Sequence, residues 1–190
     1  MIRPSGGLGA GYAVRPAIAL TSATMSAATR KRNRIAHTSR PRAKPLASDF
    51  MGFSFAHRQR VRFGETDLQG VVYYANYLLY AEVGRVAYLR ELGIVYERDF
   101  LARGIDFTIG EASVRYRAPL RFDEEFDIRV RVKEIRQSSW SFEYAIDRAD
   151  GQHCAAASTV QVVLDRESWR PTRIVPELRA VLERALQAAA

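Results

Sequence analysis

The alternation of apolar and polar residues predicts an antiparallel sheet in the second half of the chain. Apolar side chains alternate with charged ones from Phe126 to Lys133, which is typical of a strand with one face in the core. The same alternation from Trp140 to Asp147 predicts the next strand, and an Asp-Gly turn at residues 150–151 follows it. Two further long strands are predicted over Ile105 to Tyr116 and Cys154 to Leu164.

A long helix without a polar face is predicted ahead of these strands. Asn76 is a good N-cap residue and Gly93 a good C′ residue, so the helix is expected between them. Its charged residues do not collect on one face, and two of them, Glu82 and Arg85, are expected to form a structural ion pair. A helix that is apolar on most of its circumference is expected to be buried on most sides.

Together these elements predict an α+β domain over residues 53–190, in which a curved antiparallel sheet of about five strands wraps a long central helix. Alternation around Val61 and Phe63 predicts a first strand, a short second helix is expected to close at Gly104, and Pro176 opens a C-terminal helix. Because one such sheet leaves its edges exposed, a homodimer or homotetramer is expected.

The first 50 residues carry the whole net charge of +8, since residues 51–190 hold 20 Lys or Arg and 20 Asp or Glu. Residues 1–48 lack helix or strand periodicity, which predicts disorder. The favoured interpretation is a mis-assigned translation start, with Met25 or Met51 as the true start. A transit peptide or a basic tail for anionic surfaces is the alternative. The neutral folded domain is not expected to bind nucleic acid.

Several classes of site and location are not indicated by the sequence. The lone Cys154 cannot form an internal disulfide and is expected to pack as a small hydrophobe. No apolar run approaches the roughly 20 residues of a membrane-spanning helix. Metal-ligand spacings, Gly-rich phosphate loops and G-x-S-x-G motifs are absent, so no metal, cofactor or serine nucleophile is expected. A cytoplasmic location is expected, or an organelle matrix if the N-terminal segment is a transit peptide.

The candidate chemistry lies just ahead of the long helix. Asp67 is in a short loop, and Gly70 follows it three residues later. A helix N-terminus carries partial positive charge and unpaired N–H groups. A carboxylate near such donors can attack a carbonyl, or activate water against one, while the donors stabilise its oxygen. An ordinary loop or capping aspartate is the alternative interpretation.

This segment resembles the active-site signature of hotdog-fold acyl-CoA thioesterases, with the 4-hydroxybenzoyl-CoA and Tol-Pal-associated thioesterases as the nearest branches. The family frame D-x-x-G-x-V-x-x-x-x-Y is filled by Asp67, Gly70, Val72 and Tyr77. The resemblance extends over residues 56 to about 182 and includes R-Y-R-A-P-L-R-F-D-E at positions 115–124. At position 74 this chain has tyrosine, as in the 4-hydroxybenzoyl branch, whereas the Tol-Pal branch has histidine.

The resemblance implies hydrolysis of a small-molecule acyl-CoA to a carboxylic acid and CoA. Asp67 would act as a nucleophile that forms a mixed anhydride, or as a general base for water. The backbone N–H of Tyr74 would bind the thioester oxygen. The residues expected to contact the substrate are Gly70, Val72, Tyr73 and Tyr77. Arg115 and Arg117 belong to a solvated sheet face, or bind the phosphates of CoA.

Two other functions stay open at this stage. The same fold could cleave acyl-carrier-protein thioesters, or hold an acyl or aryl ligand or a partner protein without turnover. Asp67 discriminates between turnover and mere binding, because binding alone does not need an intact carboxylate in that loop.

Removal of residues 1–50 is expected to leave folding and turnover intact, because this segment lacks the apolar periodicity of a packed element. The variant that begins at Met51 is compared with the full chain by thermal unfolding and by acyl-CoA turnover. A lower midpoint or a lower turnover in the shortened chain would contradict the expectation.

Overall fold

The structure is a computed structural model that describes residues 52–189. The segment 1–48, for which disorder is predicted, lies outside the described residues. The helices and strands, in chain order, are β1 (Phe55–Arg60), α1 (Asn76–Glu91), α2 (Tyr96–Asp99), β2 (Ile105–Tyr116), β3 (Glu125–Ile135), β4 (Ser139–Arg148), β5 (His153–Asp165) and α3 (Pro176–Ala188).

The five strands form one antiparallel sheet in the order β1-β3-β4-β5-β2, as the alternating pattern predicts. The position predicted for the first strand is wrong, because β1 ends at Arg60 and residues 63–65 form a 3₁₀ turn. Val61 is nevertheless buried, and its N–H donates to the carbonyl of Glu124 at 3.0 Å. Its apolar character therefore reflects the core and not a place in a strand.

Helix α1 lies on the inner face of the sheet, where β3 contributes Phe126, Ile128, Val130 and Val132 to the core. The closest approach is at Gly84, because a Cβ built there would collide with a methyl group of Ile128. The absence of a side chain at this position lets the helix backbone lie against the sheet.

The C-terminal end of α1 agrees with the prediction, whereas its N-terminal cap does not. Gly93 adopts a left-handed φ of 74°, its N–H donates to the Arg90 carbonyl, and the Ile94 N–H donates to the Leu89 carbonyl. This pair of bonds is the Schellman motif. Asn76 is the first helical residue and Ala75 is the N-cap. The side-chain amide of Asn76 donates to the backbone carbonyl of residue 65 at 2.8 Å.

The expectation that α1 is buried on most sides is wrong for the single chain. Leu78, Leu79 and Val86 are 42%, 41% and 36% exposed and form a surface that we call the α1 stripe. The predicted ion pair is also absent, since no salt bridge of the described residues joins Glu82 to Arg85. The helix thus presents one face to the sheet and leaves an apolar face uncovered.

The outer face of β4 is more buried than the alternating pattern predicts. Ser141, Ala145 and Asp147 are each less than 9% exposed, although they lie on the polar side of the pattern. β4 is the central strand, so side chains of both neighbouring strands cover it. Arg129 and His153 both bond the carboxylate of Asp147, at 3.2 and 2.7 Å.

The edge strand β2 is longer than the other edge strand, β1. β2 has 12 residues, and the residues of its middle part, from Thr108 to Ser113, are all exposed. A long unpaired edge is a template for pairing with another strand.

Over residues 52–189, no helix is both long and apolar enough to cross a membrane.

Candidate active site

The loop between β1 and α1 folds into a tight turn that carries Asp67. An isolated antiparallel bridge joins Thr66 to Val72. Inside it, the Asp67 N–H donates to the Val71 carbonyl and the Gly70 N–H donates to the Asp67 carbonyl, both at 2.9 Å. Gly70 has a φ of 73°, a backbone conformation that favours glycine. A Cβ atom at this position would meet no neighbouring atom, so the preference for glycine comes from the backbone conformation and not from a lack of space. The D-x-x-G spacing is therefore the spacing of a hydrogen-bonded turn.

The carboxylate of Asp67 is half-buried and is bonded at one of its two oxygens. Its Oδ1 accepts the N–H of Gln69 at 2.8 Å, which forms an Asx turn. No hydrogen bond of the described residues reaches its Oδ2. Asp67 is not a helix cap, since the N-cap position of α1 is Ala75. The turn therefore orients the carboxylate and leaves one oxygen available for chemistry.

The start of α1 offers two backbone donors. The N–H groups of Asn76, Tyr77 and Leu78 are bonded to carbonyls one short turn earlier. Within residues 52–189, no acceptor is bonded to the N–H of Tyr74 or Ala75. Two unpaired amides at a helix start can stabilise negative charge on a carbonyl oxygen.

Glu65 connects the Asp67 turn to the helix. Its carbonyl accepts the Tyr73 N–H at 2.9 Å and the Asn76 side-chain amide at 2.8 Å. Its buried carboxylate accepts the Tyr80 hydroxyl at 2.8 Å and both the backbone N–H and the guanidinium of Arg62. Burial by itself would raise the pKa of Glu65, but these hydrogen bonds from Arg62 and Tyr80 hold it below its ordinary value. Glu65 is therefore charged at neutral pH and bonded on both sides.

Burial also raises the pKa of Tyr80, and the bond to Glu65 raises it further. Neither Glu65 nor its bond to the Tyr80 hydroxyl was predicted from the sequence. The available signal was the Arg-x-x-Glu spacing of residues 62–65, which places both charges on one turn, in the same loop as Asp67.

A cavity of about 280 Å³ adjoins the start of α1, and we call it the N-terminal cavity. It is lined by Val72, Tyr74, Tyr77, Tyr116, Arg117, Ala118 and Pro119. The Tyr77 hydroxyl accepts the Leu120 N–H at 3.1 Å, and the Tyr116 hydroxyl donates to the Tyr74 carbonyl at 3.0 Å. These bonds hold the aromatic walls of the cavity in place.

Not all of the remaining sequence-predicted site residues belong to the lining of this cavity. Tyr73 is 44% exposed, and its ring contacts that of Tyr74 with centroids 4.5 Å apart and ring planes tilted by 51°. Arg117 lines the cavity, whereas Arg115 is absent from its lining and lies on β2 opposite Ala156. The carbonyl of Gly70 accepts a bond from the Arg121 guanidinium at 3.3 Å.

Cysteine and metal chemistry find no support in the described part of the chain. Cys154 is fully buried, and burial raises the pKa of its thiol to about 11, so it packs as a small hydrophobe. No group of three or more His, Cys, Asp or Glu among residues 52–189 is placed to hold a metal ion.

The chain is similar in sequence and in structure to known proteins. Residues 61–182 match the model of the thioesterase-like superfamily. YneP of Bacillus subtilis (strain 168) is 29% identical over 128 residues, which cover 66% of this chain and 92% of YneP. Acyl-CoA thioester hydrolase YbgC of Escherichia coli O6:H1 is 29% identical over 118 residues, which cover 62% and 87% of the two chains. The crystal structure of hypothetical protein TT1821 from Thermus thermophilus aligns with a TM-score of 0.64 at 33% identity, over 68% of this chain and 98% of that one.

Glu65→Gln is expected to lower the free energy of unfolding at pH 7 by about 1–3 kcal/mol, because a buried acceptor of charged and neutral bonds is weakened. The folded-state pKa of Glu65 is lowered, so its contribution is complete above the unfolded value of about 4.3 and is lost as the pH falls through the folded value. Denaturant unfolding between pH 3 and 7 should therefore show a weaker acid dependence in the variant.

The matched control is Glu134→Gln, since Glu134 is exposed and forms a surface ion pair with Arg136. That change is expected to alter the free energy of unfolding by less than about 0.5 kcal/mol. Equal losses in the two variants would show that the buried network around Glu65 does not stabilise the loop.

Proposed function

Since the chain belongs to the thioesterase-like superfamily and is a thioester hydrolase, we propose that Asp67 and the start of α1 form its active site. The predicted hotdog fold and the predicted hydrolysis of an acyl-CoA thioester are confirmed. The substrate is thus a small-molecule acyl-CoA, and the products are a carboxylic acid and CoA.

One observation supports the proposed site above the others: an oriented carboxylate and unpaired amides share one short stretch of chain. Within residues 52–189, one carboxylate oxygen of Asp67 accepts no hydrogen bond, and the amide of Tyr74 has no acceptor. The Thr66–Val72 bridge and the bonds to Glu65 bring the two ends of this stretch together. A thioester carbonyl seated between them has its oxygen at the amides and its carbon near Asp67.

Both roles of Asp67 fit this arrangement. As a nucleophile, a carboxylate oxygen bonds the acyl carbon, the C–S bond breaks, CoA leaves as thiolate, and water hydrolyses the mixed anhydride. As a general base, Asp67 takes a proton from the water that attacks the same carbon, and the C–S bond breaks in the same way. Rapid quench followed by mass spectrometry separates the two, because only the first acylates Asp67.

The N-terminal cavity supports contacts to the rest of the substrate. Val72 and Tyr77 supply apolar wall, and Tyr73 continues the aromatic surface outside it. Arg117 lies at its rim and is the stronger candidate for a CoA phosphate, since Arg115 is farther along the strand. Tyr74, in place of a histidine, supports a position nearer to the 4-hydroxybenzoyl-CoA branch than to the Tol-Pal-associated branch.

A second copy of the chain is proposed to complete the molecule. The α1 stripe and the exposed β2 edge lie on the same side, because Val86 of the stripe and Phe107 of β2 line one cavity. Antiparallel pairing of two β2 edges would extend the sheet and place two stripes face to face. The exposed α1 stripe and the exposed β2 edge support the expected homodimer. Pairing of two such dimers would produce the alternative homotetramer.

Asp67→Asn is expected to lower acyl-CoA turnover by roughly 10²–10⁴-fold while substrate still binds, because the amide keeps the size of the side chain but cannot attack or accept a proton. Turnover and thermal midpoint are measured on the same preparation. The midpoint is expected to change little, since the Asn oxygen can still accept the Gln69 N–H.

The matched control is Asp150→Asn in the β4–β5 turn, for which turnover within a fewfold of the parent is expected. Near-parental turnover of Asp67→Asn on a good substrate would sink the catalytic assignment. The non-catalytic ligand-binding function would then be favoured.

Val86→Lys is expected to convert the dimer into a monomer, because it places a charge among the apolar side chains of the α1 stripe. Light scattering should give about 43 kDa for the parent, twice the 21.5 kDa chain mass, and about 21.5 kDa for the variant. Trp169→Asn, at an exposed aromatic residue away from the stripe, is the control and should stay dimeric. A parent that is monomeric at micromolar concentration would contradict the interface.

A further inference from the structure

A second cavity, of about 390 Å³, lies at the far end of α1 from Asp67, and we call it the C-terminal cavity. Most of its wall is apolar or aromatic. Its lining includes Arg85, Val86, Leu89, Ile94, Phe100 and Phe107. None of them belongs to the D-x-x-G signature or to the N-terminal cavity.

Arg85 is the unusual member of this wall. Its Nε is buried and has no hydrogen-bond acceptor among residues 52–189. Its guanidinium carbon is 5.4 Å from the centroid of the Phe107 ring, and no salt bridge of the described residues includes it. Buried donors are almost always paired, so an unpaired one against a cavity points to an acceptor that a ligand supplies.

The other polar groups of the cavity favour an anionic ligand. The Tyr96 hydroxyl is already bonded to Asp106 at 2.6 Å. Arg90 and Glu97 line the rim and are exposed, so together with Arg85 the cavity carries two cations and one anion. A guanidinium fork matches a carboxylate, and the aromatic wall matches an apolar body.

The proposed dimer brings this cavity to the active site. The α1 stripe is centred near position 82, so a two-fold axis there places residue 79 of one helix opposite the partner's Arg85. Residue 79 is about 7.5 Å along the axis from Tyr74, at 1.5 Å per residue. An acyl group that extends from a thioester at Tyr74 therefore enters the C-terminal cavity of the other subunit.

We propose that the C-terminal cavity of the partner subunit receives the acyl group, and that the partner's Arg85 selects acyl groups that carry a carboxylate at their far end. This inference rests on the proposed function, which places the thioester end of the substrate at Asp67. It adds the chemical class of the acyl group and a specificity-determining residue from the second subunit.

The test compares adipoyl-CoA with hexanoyl-CoA, which have the same six-carbon chain and differ in the terminal carboxylate. The parent is expected to prefer adipoyl-CoA in kcat/KM. Arg85→Met is expected to lower the adipoyl-to-hexanoyl ratio by about 10–100-fold, since one bond to a charged group is lost. Arg184→Met, at an exposed arginine of α3, removes the same charge elsewhere and should leave the ratio within about threefold.

Mixed dimers test whether the two subunits share one site. In a dimer of one Asp67→Asn chain and one Arg85→Met chain, both defects fall in one site and the other site is intact if Asp67 and Arg85 come from different subunits. About half of the parental adipoyl-CoA turnover is then expected. Negligible turnover would show that each chain uses its own Arg85, which would overturn the shared site.

The thermal midpoint separates ligand recognition from a structural role. Arg85→Met should keep or raise it, because the variant removes a buried donor that has no acceptor. A lower midpoint with an unchanged substrate ratio would show that Arg85 has a structural role, such as its contact with the Phe107 ring, and would overturn the proposal. If the parent cleaves no thioester at all, the proposed function fails instead. Calorimetric binding of the two CoA esters, with and without Arg85→Met, then decides the selectivity.

Discussion

The bonds of Glu65 are the interaction on which the candidate site depends. A single residue bonds the helix through its carbonyl and bonds Arg62 and Tyr80 through its buried carboxylate. These bonds link the loop to α1, and the Thr66–Val72 bridge closes the turn that carries Asp67. A charged group is tolerated in this place because each carboxylate oxygen has a donor, which compensates for the lost hydration.

Helix α1 has a candidate functional feature at each end. Its start presents unpaired amides next to Asp67, and its last turns form the wall that contains Arg85. Close packing at Gly84 and the Schellman motif at Gly93 hold it at a defined height and length on the sheet. The half-exposed turn that carries the Asp67 carboxylate is therefore attached to a helix whose position the packed core fixes.

A single chain leaves two surfaces of the fold uncovered. The α1 stripe is uncovered, and the middle of β2 has an unpaired edge. Both lie beside the C-terminal cavity, since Val86 and Phe107 line it. A second copy that covers these surfaces would also enclose a substrate between two helices, so assembly and substrate recognition would be one contact.

The sequence by itself determined the sheet, the long helix and the D-x-x-G turn, because period-two alternation, Gly93 and Gly70 act locally. Its similarity to thioesterases is the basis of the prediction that Asp67 and Tyr74 belong to one site. Only the tertiary structure decided that β1 ends at Arg60, that Asn76 bonds Glu65, and that Arg85 faces a cavity without an acceptor. Those features depend on contacts between residues far apart in the chain, and no periodicity or spacing records them.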